Sequence, residues 1–288
     1  MVLFEKQLMN YGYHQFNILI QSYLQYNTVW CDNLKADKGF NLLFLVISLF
    51  LLAFVLLPLL NMIFNPGNLT VAIHDSEVIK SLSVSIKAAG TATVFAIFLG
   101  IPLSYLLARY NFIGKNVIEA IIDIPMAIPH SVIGIMILAF FYGTSIGRGI
   151  EDIGFEIVDN FWGIVVVMLY VGLPYMVNSG RDGFLMVEEE LENVSRTLGA
   201  SRIKTFFNVS LPLIKNNLVS GSILTFARGI SEVGAILIVA YFPKTTPVLI
   251  LDRFNEYGLS ASKPISVIMI VLSIALFSVF RLVRYTKK

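Results

Sequence analysis

Long stretches of this chain carry no ionisable side chain. No Asp, Glu, Lys or Arg lies between Lys38 and Asp75, between Lys87 and Arg109, between Asp123 and Arg148, or between Asp159 and Arg181. A bilayer core about 30 Å thick is crossed by about 20 apolar residues of helix, so gaps of this length predict membrane spans over 41–64, 82–108, 117–142 and 160–180. A fifth predicted span, 216–242, contains Arg228 and Glu232, and a sixth covers 264–282. None has the period-two alternation of a barrel strand. The expected fold class is an all-α integral membrane protein with six transmembrane helices and one folded loop on the inner face. A composition of 56% hydrophobic and 14% charged residues, with a mean hydropathy of +0.76, fits lipid and not a soluble surface.

A formal net charge of +2 excludes the clustered basic excess that nucleic-acid binding requires. Cys31 is the single cysteine, so no internal disulfide forms. With His14, His74 and His130 it makes neither a zinc-ligand spacing nor a nucleophile–base set. Six spans place both termini on one side, and that side collects fourteen Lys and Arg against five on the other. Positive loops stay inside, so both termini are expected in the cytoplasm. Residues 1–40 differ from the rest. Phe16, Leu19, Ile20, Tyr23 and Leu24 recur at helical spacing among Gln and Asn, which suits either a short interfacial helix or a loosely ordered extension, cytoplasmic or interfacial.

Between the fourth and fifth spans, Arg181 to Lys215 is too long and too well patterned for a slack connection. Val187 to Leu198 reads as a helix with an acidic first turn, Glu188 to Glu190, and an apolar stripe of Leu191, Val194 and Leu198. Gly199 supplies the C-cap, and Ser201 caps a second short helix through Val209 that Pro212 ends. Ile203, Phe206 and Phe207 are then expected on the inner surface. They need a cover, which is either a partner protein or the membrane surface itself.

The run Asn193-Val194-Ser195-Arg196-Thr197-Leu198-Gly199, followed by Val209-Ser210-Leu211-Pro212, resembles the EAA motif of ABC importer permeases in its spacing from Gly199 to Pro212. It departs at Asn193, Val194 and Ser195, where the family carries Glu, Ala, Ala, and Glu192 stands one residue away. The resemblance implies a coupling helix seated in a cytoplasmic ATPase, with Glu192, Asn193, Ser195, Leu198, Gly199, Ala200, Phe206, Phe207 and Pro212 as its coupling residues. A second block, Phe226 to Ala235 followed by Ala240 to Leu249, together with Asp123 to His130, resembles the molybdate, tungstate and sulfate permeases, nearest to the tungstate/molybdate branch. What this implies is a type I ABC importer transmembrane domain over 75–285, preceded by a first transmembrane helix at 41–64, with its coupling loop at 187–212.

The chemistry points the same way. No G-x-x-x-x-G-K-[ST] is present, because Gly114-Lys115 is followed by Asn116 and lacks the upstream glycine. The chain is expected to be non-catalytic and to bind no cofactor, with ATP and Mg used by a partner subunit. Ionisable groups inside a membrane are costly and mark function by default. Arg228 and Glu232, four residues apart on the fifth span, either lie on the anion's path or form a structural pair within the helix or with Asp123. Pro102, Pro125, Pro129 and Pro174 are expected to break helices, and the Pro125–Pro129 pair suits either a gate or a packing kink. The resemblance implies a homodimer in a prokaryotic cell membrane with two ATP-binding subunits and an external oxyanion-binding protein, importing tungstate or molybdate. Sulfate or another small solute remains an alternative cargo, and an ion-coupled secondary transporter an alternative class; the latter is expected to show paired helix breaks, whereas only one is legible.

Overall fold

The computed structural model describes residues 38–285, with side chains from residue 39 to 278. The extension read over residues 1–40 falls almost wholly outside the described residues. The chain divides after Asn65 into two units. The described part of the first is one helix, α1 (Lys38–Phe64), apolar on every side, with its Leu, Phe, Val and Ile side chains largely exposed. At 1.5 Å per residue its length is about 40 Å, enough to cross a bilayer whose tails cover those side chains.

The second unit is also all-helical among the described residues. A short α2 (Leu69–His74) leads into α3 (Ser76–Arg109), whose start is capped by the Asp75 carboxylate accepting from the Glu77 N–H at 2.8 Å. After α4 (Lys115–Ala127), α5 (His130–Gly143) and α6 (Ser145–Asp152) comes α7 (Phe161–Leu185), the centre of the unit. An inner loop then leads to α11 (Lys215–Ile230), α12 (Ile236–Val239), α13 (Thr246–Tyr257) and α14 (Leu259–Tyr285); its short helices, α8 to α10, are described with the site below.

The long helices pack where α7 lacks side chains. A Cβ at Gly180 would meet the Ser104 hydroxyl of α3 at 2.5 Å, and one at Gly172 would meet Thr225 of α11 at 2.8 Å. With no hydrophobic drive between helices in lipid, such close backbone approach is what holds them. Thr225 adds a hydrogen bond from its hydroxyl to the Gly172 carbonyl at 3.1 Å. Buried Ala88, Ala92, Ile133, Ile164, Met168 and Ile236 form the core where α3, α5, α7 and α12 meet.

The spans differ from expectation in continuity. Four helices, α1, α3, α7 and α14, are long and apolar enough to cross a membrane, and α4 with α5 reach that length only as a pair bent by 114° at their junction, either a broken span or a re-entrant loop. The bend falls at Ile128–Pro129, because Pro129 has no N–H to give and holds Ile128 extended at ψ 136°. The predicted span 216–242 is likewise broken, since α11 stops at Ile230 and residues 231–235 are non-helical. Two helices are therefore discontinuous where only one break is legible in the sequence. Conversely, Pro102, Pro125 and Pro174 sit inside continuous helices and break nothing. The connection beyond residue 243, expected as an outer loop, contains α13, whose first turn is tied to α3 by the Thr246 N–H donating to the Ser85 hydroxyl at 2.8 Å.

The two breaks pack against each other. A Cβ on Gly134 would lie 2.9 Å from both Cα and O of Ala235, and one on Gly234 would lie 3.0 Å from Cβ of His130. Backbone atoms cannot swing aside, so Gly134→Val is expected to lower stability by about 1–3 kcal/mol. Gly90→Ala, where the added methyl meets nothing within 4 Å, should leave the unfolding temperature unchanged or raised. Thermal unfolding of the detergent-solubilised chain measures both.

Candidate functional site

The inner loop folds as its sequence requires. α8 (Glu189–Thr197) begins with Glu189, Glu190 and Glu192 in its first turn, where negative charge meets the positive helix end. Gly199 takes φ +92°, a left-handed value that β-branched residues avoid, and its N–H donates to the Arg196 carbonyl at 3.0 Å. Ser201 caps α9 (Arg202–Thr205) by accepting from the Lys204 N–H at 3.3 Å. Phe206–Ser210 wind as a π-helix, and α10 (Leu211–Leu213) continues the turn. Pro212 therefore does not end the element, contrary to expectation. It occupies the first turn of α10, where its missing N–H is tolerated, and Leu211 stays helical at φ −64°.

Glu192 anchors this loop to the membrane helices. Its Oε1 accepts from Arg109 Nε at 3.0 Å, from Arg109 Nη2 at 2.8 Å and from the Ser210 hydroxyl at 2.9 Å, and its Oε2 accepts from the Tyr105 hydroxyl at 3.1 Å. Arg109 also donates to the Val187 carbonyl at 3.0 Å. The C-terminal end of α3, α8 and the π-helix thus meet on one carboxylate, with 7% and 11% of the Arg109 and Glu192 side chains exposed. Arg109 is read from sequence only as a loop charge. The pair spans 83 residues, and no local pattern announces it.

The other loop residues divide into covered and exposed. Phe206, expected on the surface beside Phe207, is half-buried, its ring edge-on to Tyr105 at 5.1 Å and tilted against Phe184 at 6.0 Å. Adjacent residues on a helix point about 100° apart, so Phe206 turns toward Tyr105 and Phe184 while Phe207 faces out. Leu198, Ile203 and Phe207 are 83%, 71% and 58% exposed and form the apolar edge around the bend. Ser195 and Thr205 bond across that bend through their hydroxyls at 3.2 Å. Asn193 is exposed, Ala200 half-buried and Pro212 exposed.

The second group of candidates gathers at the two helix breaks. Glu232 lies beyond the end of α11, not on its face as expected, yet Arg228 Nη1 still reaches its Oε2 at 2.9 Å. His130, which sequence reasoning did not single out as a site residue, brings Nδ1 to the same oxygen at 2.7 Å. Oε1 accepts the Ala235 N–H at 3.0 Å, at the start of α12. Arg228 Nη2 lies 2.7 Å from Nδ1 and 3.1 Å from Nε2 of the same ring, so the guanidinium, the imidazole and the Glu232 carboxylate form one cluster. Asp123 bonds Asn178 at 2.7 Å rather than Arg228, and Glu119 faces Arg181 at 3.4 Å. Pro129 stands at the bend beside His130, while Pro125 is buried within α4.

At the other end of the unit, Arg253 holds Asp75 at 3.1 Å and Glu77 at 2.7 Å, fastening α13 to α3. Asp252 accepts from Lys244 at 2.9 Å and from the Tyr241 hydroxyl at 2.7 Å. Its hydrogen bonds raise both groups above their ordinary ranges, so Lys244 stays charged and Tyr241 protonated at any physiological pH.

Removing one partner of a buried pair leaves an uncompensated charge. Glu192→Gln and Arg109→Gln should each destabilise by about 3 kcal/mol, and the double variant by clearly less than the sum. Chemical denaturation of the four proteins in one detergent gives the cycle, and strict additivity would contradict the pairing.

The chain is similar to known proteins in sequence and in fold. Residues 100–286 match the family described as the inner membrane component of binding-protein-dependent transport systems. A molybdate/tungstate transport system permease protein of Methanocaldococcus jannaschii is 58% identical over 245 residues, covering 85% of this chain and 97% of the relative. A probable sulfate transport system permease protein of Chlorokybus atmophyticus is 34% identical over 207 residues, covering 70% of this chain and 72% of that one. Among solved structures, a bacterial ABC transporter involved in import of the acidic polysaccharide alginate superposes with a TM-score of 0.62 at 16% identity, over 85% of this chain and 97% of the other. That likeness is one of fold.

Proposed function

Because the chain belongs to the family of binding-protein-dependent transport system inner membrane components, we propose that it is the permease subunit of an ATP-driven importer of molybdate or tungstate. The observation that carries this is the bent helix pair around Gly199, apolar at its edge and bolted to α3 through Glu192. The 58% identity to a molybdate/tungstate permease, against 34% to a sulfate permease, supports the cargo. Family membership weighs for an ATP-driven machine over an ion-coupled carrier, despite the second helix break.

In this reading the chain hydrolyses nothing and holds no cofactor. Two cytoplasmic partner chains bind ATP and Mg, and a homodimer of the permease presents one bent pair to each. An external binding protein delivers the oxyanion to the outer mouth, in a prokaryotic cell membrane with both termini of the permease inside. Leu198, Ile203 and Phe207 insert into the ATPase, while Asn193, Ser195 and Ala200 shape the bend and Pro212 the turn behind it. Glu192 and half-buried Phe206 pass the movement to α3. Closure of the ATPase pair biases an outward-open state and hydrolysis restores the inward-open one. Along the path, the bend at Pro129, with Pro125 behind it, and the Arg228–Glu232 pair stand where a gate is required.

Gly199→Val tests the lever. No atom lies within 4 Å of an added Cβ, so the membrane helices should assemble normally, whereas φ +92° is denied to valine. In proteoliposomes containing the binding protein and ATPase, ATP hydrolysis should persist while oxyanion uptake falls by about an order of magnitude. Uptake equal to that of the native chain would refute the coupling role.

A further inference from the structure

Resting on the importer reading, a second feature concerns where the cargo meets this chain. Arg228 reaches the wall of a cavity of about 380 Å³ between α7, α11 and α14, lined also by Tyr175, Phe226, Ser231, Met269 and Ser273. Among the described residues Arg228 is the one charged residue in that lining, and no carboxylate of theirs lines it. The acidic partner of the cluster is turned away, because the Glu232 side chain is 1% exposed and both its oxygens are occupied. Of the five N–H donors of a guanidinium, Nη1 engages Glu232 and Nη2 engages the ring of His130, which leaves donors on both terminal nitrogens and on Nε.

We propose that Arg228, held by His130 and backed by buried Glu232, is a transit site for a small tetrahedral oxyanion in this cavity. An anion entering it meets forked N–H donors and the hydroxyls of Tyr175 and Ser231 in a mostly apolar wall, where charge-assisted hydrogen bonds are strong. A cation meets no carboxylate among the described lining residues. Glu232, buried behind the guanidinium, offsets part of its charge, so the positive face still turned to the cavity draws an anion and holds it by directed hydrogen bonds weak enough for release. His130 is a positioning residue. It links the break of one helix to the break of the other and fixes the plane of the guanidinium, with a side chain that is 49% exposed.

The single cysteine makes a direct test practical. Ser273→Cys, in a Cys31→Ser background, places a thiol on the cavity wall away from the cluster. The complete transporter in proteoliposomes is treated with an anionic and a cationic methanethiosulfonate, each rate normalised to a free thiol. The anionic reagent should react about tenfold faster. Millimolar tungstate should slow it several-fold, and chloride at equal ionic strength should not. Arg228→Gln should abolish both effects. His130→Gln, which leaves the Arg228–Glu232 pair in place, should keep the charge preference and weaken the tungstate protection. Equal rates for the two reagents, or slowing by chloride equal to that by tungstate, overturn the proposal. Uptake measured on the same vesicles separates the two readings. Tungstate import without charge selectivity at residue 273 removes the transit site and keeps the importer, whereas protected, anion-selective labelling without import keeps the site and removes the assigned cargo.

Discussion

A carboxylate taken out of water is tolerated only when every lone pair is answered, and Glu192 is answered four times, from Arg109, Ser210 and Tyr105. The fold of the whole loop between α7 and α11 depends on this one group. α8 has no side-chain cap of its own and packs few apolar residues inward, since Leu191, Val194 and Leu198 all face out. Without the Glu192–Arg109 pair it would be a short amphipathic helix on a glycine tether, free to move without moving anything else. With it, α8 is continuous with a helix of 34 residues that runs across the unit to Asp75.

The same economy of polar groups governs the membrane interior. Breaking a helix in lipid exposes peptide groups that no water can satisfy. Here the two broken helices lie break to break, and Glu232 accepts the Ala235 N–H that the interruption frees while it neutralises Arg228 and engages His130. Gly134 and Gly234 let the two backbones come near enough for this. Discontinuity therefore lets one buried charge find partners on two elements.

The long apolar runs, the bend at Gly199 with φ +92°, the Ser201 cap and the proline-directed bend at residue 129 were legible because each is written in neighbouring residues. What was not legible is set by distant groups. The break at 231–235 looks like uninterrupted helix until His130 is known to sit opposite Glu232. Arg109 and Glu192 stand far apart in the chain, so a motif shifted by one residue gave no sign that its acid serves as an internal bolt. Phe206 and Phe207 are indistinguishable by type, and only the distant rings of Tyr105 and Phe184 separate the packed one from the exposed one. Pro102 and Pro174 teach the reverse lesson, since a proline inside a packed membrane helix can be absorbed without a break.

The claim that α8 and α3 move as one body is tested most directly by distance. Spin labels at Thr197 on α8 and Lys87 on α3, both exposed, report through pulsed electron–electron resonance on the assembled transporter with and without ATP. A rigid link predicts a distribution that stays within about 2 Å across the two states while the labels move together relative to the partner chains. A change within this pair of about 5 Å or more, the height of one helical turn, would show that the Glu192 bolt does not transmit the motion.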